Sequence, residues 1–545
     1  MMSWFHRSRK GGGTSTLPSP SEPRFARGAA LDARTRQIGR ELLDAARSHR
    51  AGALSSQFWS DRWMRWAMKD PAFKVELFRF VDVFPMLRAP EQVYDYLVDY
   101  LSRPGVTLPP GMDLGLKAGG LAKGALAKAI AGRIASMAAT FLTDRDAVSA
   151  LPALRRRWDQ GLAFSVDLLG EACVSDDEAA DYRGRYLALI ETLPDAVDRW
   201  PADERLERDH LGLVPRTNVS IKISSLDARA DPIDFEGSVA RLLEALRPIL
   251  EAARQRNVLV NFDMEQHAFK DLTLELFERC CEEVAFPAGI ALQSYLRSGD
   301  DDARRIVAWT KRTGRQVTVR LIKGAYWDYE VMHAERMGWP VPVWTRKRHT
   351  DACFERMADV LIGAAPRRPD QGGVKLALGS HNVRSIASSL ARLEEHGLAP
   401  AAIELQMLFG MADPLKAAAV ERRLRLREYV PLGEMIPGMA YLVRRLLENT
   451  SNQSWLRAGF AEDTPDDELL ASPHDDDSAR APSALGHFLR GADDHGLSAA
   501  VEGLGDGKAM ANEPVRDFAQ KETRTRFGAA VRAAAVPEVA APASA

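Results

Sequence analysis

The stretch VTVRLI at residues 317–322 has the composition of a buried strand, since β-branched and aliphatic side chains dominate it. Seven further short runs of strand-like sequence occur, and helical sequence separates each from the next. The eight runs lie at residues 163–169, 219–223, 258–263, 290–293, 317–322, 374–379, 403–408 and 426–430.

Amphipathic segments connect these runs, and those at residues 234–253 and 272–284 are long enough for crossover helices. Eight strand–helix units within about 300 residues predict an α/β protein with a (β/α)8 barrel. A doubly wound open sheet is the alternative. It is less well supported, because no Gly-x-Gly-x-x-Gly motif follows a strand.

Polar side chains collect at the carboxyl ends of the predicted strands. They are Asp167, Lys222, Asp263 with Glu265, Gln293, Arg320 with Lys323, Ser380 with His381 and Asn382, Gln406 and Tyr429. Barrel enzymes carry their chemistry at that face. We therefore expect the eight strand ends to converge on one charged mouth.

The chain divides into four predicted segments. Residues 1–30 are low in complexity and are predicted to be a disordered leader, and residues 31–142 form a helical arm or domain. The barrel takes residues 143–460, and a linker and C-terminal tail occupy residues 461–545. An alanine-rich helix within the arm is expected to pack against a neighbouring domain, with a membrane-surface role as the alternative.

Charge and cysteine content exclude several classes of function. The 73 basic and 75 acidic side chains nearly cancel, so the chain is not built to hold a nucleic acid. The four cysteines show no metal-ligand spacing, which favours a reducing compartment. No uncharged apolar run reaches the length of a membrane-spanning helix.

A second helix-forming stretch, at residues 439–449, carries a group of cations. On it Tyr441, Arg444 and Glu448 recur at helical spacing and share one side, while Arg445 lies about 100° round the helix. A guanidinium suits a small carboxylate because its planar fork binds both oxygens. The helix predicts an anion-binding wall, with an ordinary surface helix as the alternative.

Four blocks of sequence resemble the proline dehydrogenase module of bacterial proline utilisation A. They are DLLGEA at residues 167–172, VSIKIS at 219–224, VRLIKGAYWD at 319–328 and AYLVRRLLEN at 440–449. The resemblance runs in order from about residue 60 to residue 460. It implies a distorted (β/α)8 barrel with FAD that oxidises L-proline to 1-pyrroline-5-carboxylate and passes electrons to a membrane quinone.

The resemblance also implies roles for individual residues at the substrate site. Lys222, Arg444 and Arg445 would hold the proline carboxylate. Asp167 and Glu171 resemble carboxylates that lie near these arginines, where the first would pair with one guanidinium when the site is shut. Walls around the pyrrolidine ring would come from Tyr429, Tyr441, Leu408 and Tyr326.

For the cofactor, the resemblance implies a larger set. Its members are Asp263, Gln293, Arg320, Lys323, Gly324, Ala325, Trp327, Thr345, Lys347, His381, Asn382 and Glu448. Arg320 is expected near the isoalloxazine N5 edge, and Arg320 and Asp263 are the residues assigned to catalysis. The predicted reaction is hydride transfer from proline C5 to flavin N5, and the sequence indicates no general base.

The sequence departs from the family at both ends. It shows no recognisable N-terminal ribbon–helix–helix domain, and NEPVRDF at residues 512–518 resembles the opening of the family's aldehyde dehydrogenase module. We expect a separate pyrroline-5-carboxylate dehydrogenase to be a partner, unless the chain is a fragment or part of a split protein. The predicted location is the cytoplasm, with a peripheral position at the inner face of the cytoplasmic membrane left open.

Two other functions remain as alternatives. The first is a non-catalytic regulatory or assembly subunit that keeps the barrel and binds proline only as a ligand. The second is a different flavin barrel, such as a folate-reducing enzyme, which would use a nicotinamide donor. Reduction of a bound flavin by proline separates the main prediction from both.

Overall fold

The computed structural model describes residues 24–49, 70–108, 146–170, 172–433, 464–474 and 515–534, with single positions at 66, 124, 128, 132 and 143. Within these residues eight parallel strands close into a barrel in chain order. They are β1 Ala163–Leu168, β2 Asn218–Ile221, β3 Leu259–Phe262, β4 Ala288–Gln293, β5 Gln316–Ile322, β6 Gly373–Gly379, β7 Ile403–Leu408 and β8 Leu426–Leu432. Pairing of β1 with β8 closes the ring, which confirms the predicted barrel and rules out the open sheet.

Helices connect the strands and cover the outside of the ring. Those in the described residues are α1 Arg24–Ser48, α2 Pro71–Val83, α3 Pro90–Leu101, α4 Ala147–Asp159, α5 Asp176–Val197, α6 Glu204–Glu207, α7 Phe235–Gln255, α8 His267–Glu283, α9 Gly299–Thr313, α10 Trp327–Met337, α11 Lys347–Gly363, α12 Val383–Glu395, α13 Asp413–Glu421, α14 Asp466–Leu469 and α15 Lys521–Ala533. The segments predicted at 234–253 and 272–284 correspond to α7 and α8. None of the described helices combines the length and the apolar composition that a membrane span requires.

The strands alternate between an apolar outer face and a polar inner face. On β1, Phe164 and Val166 belong to the apolar core, whereas Ser165 and Asp167 alternate with them and are equally buried. Ser165 bonds across the ring to the guanidinium of Arg320 on β5, so this face points into the barrel. The barrel interior therefore holds polar side chains that must satisfy one another.

The second strand is shorter than its sequence suggests. The apolar run predicts a strand to residue 223, but β2 ends at Ile221 and a single 3₁₀ turn, Ile223–Ser225, follows. The hydroxyl of Ser225 donates to the carbonyl of Lys222 at 2.7 Å, which holds this turn. Lys222 thus lies at the point where the backbone leaves the sheet.

An ionic cluster around the buried pair Arg384 and Glu355 joins three separate parts of the chain on the outside of the barrel. Arg384 at the start of α12 contacts Glu355 of α11 at 2.9 Å, Asp32 of α1, and the carbonyl of Leu470 at 3.0 Å. His474 contacts the same Glu355 at 3.1 Å. This cluster of Asp32, Glu355, Arg384 and His474, called the outer junction below, holds α1 and residues 464–474 against the barrel wall.

The C-terminal described segment also packs on the barrel. Arg524 of α15 lies 4.3 Å over the ring of Phe235 and 3.4 Å from the carboxylate of Asp271. Trp339 donates its indole N–H to the carbonyl of Val515 at 2.7 Å. These contacts hold residues 515–534 beside α7 and α8. Residues 24–30 of the predicted disordered leader belong to helix α1, whereas residues 1–23 lie outside the described residues. The domain boundaries stay predictions.

Candidate active site

The centre of the barrel mouth is a lysine surrounded by acidic and phenolic oxygens. Lys222 forms an ion pair with Asp167, and its ammonium lies 3.5 Å from Asp263 and 3.3 Å from the hydroxyl of Tyr429. Tyr429 in turn donates to Asp263 at 2.7 Å. Asp167 of β1 and Tyr429 of β8 therefore converge with Lys222 and Asp263, which directly follow β2 and β3, as the strand-end pattern predicts.

Arg320 of β5 lies beside this group and has a partner for each of its three nitrogens. Its Nη1 donates to Asp263 at 2.6 Å, and its Nη2 donates to the hydroxyls of Ser165 and Ser220 at 3.1 and 3.0 Å. Its guanidinium also lies 5.2 Å from the centre of the Tyr429 ring. Asp167, Lys222, Asp263, Arg320 and Tyr429 thus form one connected set, called the mouth network below.

Burial and charge tune the groups of the mouth network. Burial raises the pKa of Asp167 to about 6, with Asp263 acting in the same direction and Lys222 opposing it. Burial opposes the charged form of Lys222 as well, but Asp167, Tyr429 and Asp263 outweigh it and raise the pKa of the ammonium well above its usual value. Burial and the two carboxylates likewise raise the pKa of Tyr429, so at neutral pH its phenol is a hydrogen-bond donor.

A second group of charged side chains lies inside the barrel, beneath the mouth network. Glu404 of β7 accepts hydrogen bonds from Arg427 at 2.8 and 3.1 Å and from the amide of Gln406 at 2.8 Å, while Arg425 approaches it to 3.4 Å. Burial works against this carboxylate, yet Arg427 and Arg425 lower the pKa of Glu404 to about 2. Gln406 links this layer to the mouth network, because its Oε1 accepts from Nε of Arg320 at 2.6 Å.

Two buried oxygens at the mouth have no hydrogen-bond partner among the described residues. One is Oδ2 of Asp167 and the other is Oε1 of Gln293. The amide nitrogen of Gln293 is fully used, since it donates to the carbonyls of Met264 and Glu265 at 3.1 Å each. Buried acceptors without donors are rare in folded proteins, so these two mark positions where a ligand can bind.

The rim above β5 carries a pair of lysines that share one carboxylate. Lys323 and Lys347 both contact Asp351, the second at 2.9 Å. Burial lowers the pKa of Lys323, with Lys347 acting in the same direction and Asp351 opposing. Gly324 has a φ of 130°, and a Cβ there would overlap the ring of Tyr295. Only glycine allows the backbone to turn at this point.

The remaining predicted residues take several positions around the rim. Trp327 is half-exposed and donates to the carbonyl of Trp344 at 2.8 Å. His381 accepts from the backbone N–H of Leu408 at 3.1 Å, and the side chain of Asn382 caps α12. Ala325, Thr345 and Lys347 are exposed, whereas Tyr326 and Leu408 are half-buried. Glu171, Tyr441, Arg444, Arg445 and Glu448 lie outside the described residues, so their assignments stay predictions.

Sequence reasoning missed the polar side chains beneath the strand ends. Ser165, Ser220, Asn261, Glu404 and Arg427 each lie two residues before a predicted mouth residue or strand-end residue. Asn261 donates to Asp263 at 3.1 Å and Ser165 donates to Asn218 at 2.9 Å. The period-two spacing of polar residues inside apolar runs is the signal that indicates them.

Two family models match the sequence. The one described as Proline dehydrogenase matches residues 150–458, which is more than half of the chain. The one described as Proline utilization A N-terminal domain matches residues 32–141. The first range contains all eight strands and every residue of the mouth network.

Individual relatives agree with these models. The bifunctional protein PutA of Escherichia coli (strain K12) is 29% identical over 348 residues, 62% of this chain and 25% of that protein. Proline dehydrogenase 1 of Bacillus subtilis (strain 168) is 25% identical over 312 residues, 57% of this chain and 86% of that protein. This chain therefore spans about a quarter of the length of the curated bifunctional relatives it matches.

A solved structure gives the same picture. Proline utilization A from Bdellovibrio bacteriovorus, inactivated by N-propargylglycine, superposes with a TM-score of 0.77 at 36% sequence identity. The superposition covers 92% of this chain and 48% of that one. The barrel and its surrounding helices are thus shared with a protein about twice the length of the matched part.

Proposed function

Because the chain belongs to the proline dehydrogenase family, we propose that it oxidises L-proline to 1-pyrroline-5-carboxylate with FAD as its cofactor. The observation that carries the proposal is the mouth network, in which cations, carboxylates and a phenol are desolvated together at the catalytic end of a barrel. The two electrons are assigned to a membrane quinone. The product is assigned to a separate pyrroline-5-carboxylate dehydrogenase.

The proposed substrate site rests on charge balance. Within the mouth network two cations, Lys222 and Arg320, face two carboxylates, Asp167 and Asp263, so the described groups neutralise one another. Arg444 and Arg445, which the family resemblance assigns to this site, would supply the positive charge that an anionic substrate requires. We assign the proline carboxylate to these arginines together with Lys222, and the ring to walls that include Tyr429 and Leu408.

The residues present fit a flavin. A flavin ring offers N–H donors and carbonyl acceptors at its edge, and the unpartnered Oε1 of Gln293 is a buried acceptor that such a donor would satisfy. Lys323 and Lys347 provide positive charge at the rim, which suits the pyrophosphate of FAD. When bound, the flavin supplies the hydride acceptor for proline C5.

This chain's own groups contribute orientation, charge and exclusion of water. Lys222 would orient proline through its carboxylate, and the rigid Tyr429 hydroxyl would fix the position of Asp263. Arg320, held by Gln406, Asp263, Ser165 and Ser220, would present a cation that is already in position before the reaction. Proline would react as its neutral amine, and no side chain is assigned as a nucleophile.

The experiment is a proline-dependent dye-reduction assay on the purified protein, with the product identified by mass. We expect a product that has two hydrogens fewer than proline, and reduction of dye in equal amount. A colourless protein that binds proline without oxidising it would support the non-catalytic subunit instead. A yellow protein that responds to a nicotinamide donor but not to proline would support the other flavin barrel.

The quinone assignment has its own measurement. Vesicles that contain a quinone and no dye should accept electrons from the protein when proline is added. Vesicles without quinone serve as the control. If the quinone stays oxidised while the artificial dye is reduced, the acceptor assignment is wrong and the proline assignment stands.

A further inference from the structure

We propose that Glu404 is a positioning residue that acts through Gln406 to fix the guanidinium of Arg320 at the barrel mouth. Glu404, Gln406 and Arg320 form a chain of two hydrogen bonds, called the interior relay below. The catalytic consequence of the relay rests on the proposed function. Its geometric consequence, the position of Arg320, does not.

The first link is the contact between Gln406 and Arg320. Among the described residues, the 2.6 Å bond to Gln406 Oε1 is the contact that Nε of Arg320 makes, whereas both Nη nitrogens bond elsewhere. Asp263 and the two serines hold the outer end of the guanidinium. Gln406 holds its inner end and so sets the angle at which the group enters the mouth.

The second link fixes the orientation of the Gln406 amide. An arginine nitrogen can only donate, so the amide must turn its oxygen toward Arg320 and its nitrogen away. The nitrogen then needs an acceptor, and Glu404 Oε1 provides one at 2.8 Å. A carboxylate has no donor to offer in its ionised form, so it accepts from Gln406 in one orientation only.

Two arginines stabilise the ionised form of Glu404. Arg427 binds both of its oxygens at 2.8 and 3.1 Å, and Arg425 adds a second cation at 3.4 Å. Both arginines are themselves buried. A neutral amide at position 404 could present either its oxygen or its N–H to Gln406. If it presented the N–H, the Gln406 amide would turn its oxygen toward position 404 and its own N–H toward Arg320, where two donors would face each other.

A matched control lies on the next strand. Glu428 of β8 is as buried as Glu404 and forms an ion pair with buried Lys416, with Arg157 at 3.3 Å. It lies on the outer face of the barrel wall, and none of its contacts with the described residues leads to Arg320. Glu428→Gln therefore removes a buried charge of the same kind without touching the relay.

The test compares Glu404→Gln with Glu428→Gln by crystallography, thermal unfolding, flavin absorption and steady-state kinetics. For Glu404→Gln we expect the Arg320 side chain to occupy more than one conformation and the visible spectrum of the bound flavin to shift. We expect kcat to fall by about fivefold, while KM for proline changes by less than about twofold. For Glu428→Gln we expect a lower Tm with an unchanged Arg320, spectrum and kcat.

Two results would overturn the proposal. One is an Arg320 that keeps all its contacts in Glu404→Gln, with kcat unchanged and Tm lowered as in the control. If Glu404→Gln does not fold, Gln406→Met replaces it, because this change leaves Glu404 paired with Arg427, and an unmoved Arg320 would again refute the relay. A wild-type protein that does not oxidise proline would remove the proposed function, while the crystallographic comparison would still decide the relay.

Discussion

The mouth network and the outer junction each contain a buried carboxylate, Asp167 and Glu355, yet the pKa values of these two groups shift in opposite directions. In the mouth network, burial raises the pKa of Asp167 to about 6 in spite of its lysine partner. In the outer junction, burial also disfavours the charge of Glu355, but His474 and Arg384 outweigh it and the pKa is lowered. Burial alone therefore does not set the direction of the shift.

The difference lies in how completely each carboxylate is bonded. Arg384 contacts both oxygens of Glu355, at 2.9 and 3.4 Å, and His474 adds a third contact. Asp167 has its lysine on one oxygen, while the other has no partner among the described residues. A fully bonded cluster holds elements together, whereas an incompletely bonded one keeps capacity for a ligand.

The largest effect should come from Lys222→Met. The change removes the proposed contact with the substrate carboxylate and leaves Asp167 buried without its cation, so we expect kcat/KM for proline to fall about 100-fold, or about 3 kcal/mol. Lys416→Met, which removes an equally buried lysine from the outer wall, is the control. Steady-state kinetics should show no more than about a twofold change in the control. Equal losses of kcat/KM in the two variants would contradict a special role for Lys222 at the mouth.

The two carboxylates should also differ in the pH dependence of stability. The folded-state pKa of Asp167 is about 6 against an ordinary 3.8, so the folded protein binds its proton more tightly between these values. The stability that this carboxyl contributes therefore decreases as pH rises through that window, by on the order of 2 to 3 kcal/mol. For Glu355, whose pKa is lowered, the contribution is present above the ordinary pKa and is lost as pH falls through the folded value.

Thermal unfolding from a pH below the folded-state pKa of Glu355 up to pH 7 checks this pair of expectations. The Tm advantage of the wild type over Asp167→Asn should shrink as pH rises, and its advantage over Glu355→Gln should persist at neutral pH and vanish in acid. Parallel curves for the two variants would show that the clusters do not differ in the way described.

A smaller effect is expected from Tyr429→Phe. The variant loses the 2.7 Å bond to Asp263 and the 3.3 Å contact with Lys222 but keeps the ring under Arg320. We expect kcat/KM for proline to fall about tenfold, or about 1.4 kcal/mol, with little change in Tm. Unchanged kinetics with a strongly lowered Tm would show that the Tyr429 hydroxyl stabilises the fold and takes no part in the site.

The smallest effect belongs to an exposed pair near the outer junction. Asp467 contacts Arg40 at 2.6 Å, but the two side chains are 75% and 52% exposed. Asp467→Asn should change the free energy of unfolding by less than about 0.5 kcal/mol, because water screens the pair. If chemical denaturation showed as large a loss as in Glu355→Gln, burial would not be what distinguishes the junction.

The barrel could be predicted from sequence because its signal is repeated eight times. Each strand is a short apolar run, and the polar residue at its end recurs at the same place, as with Asp167, Lys222 and Asp263. The residues at which strands end are less clearly marked in the sequence. Lys222 and Ile223 are predicted as strand because apolar residues flank the lysine. In the structure the Ser225 hydroxyl donates to the Lys222 carbonyl, and the backbone turns there.

The interior of the barrel could not be predicted in the same way. Glu404 and Arg427 are charged residues within strands, and each strand by itself does not reveal which residue of another strand lies opposite. Their contact follows from the pairing of β7 with β8, whose register sets Arg427 against Gln406, two residues after Glu404 on the same face of β7. The sequence indicates Gln406 as a strand-end residue, but only the structure reveals its role as a link between Glu404 and Arg320.

The central claim is that the mouth network presents proline to a bound flavin. An anaerobic titration of the purified wild-type protein with L-proline, followed through the visible absorption of the flavin, tests it most directly. We expect a yellow protein that proline bleaches, and a Lys222→Met variant that remains yellow until far higher proline concentrations are reached. A colourless protein, or a yellow one whose spectrum proline does not change, would contradict the claim.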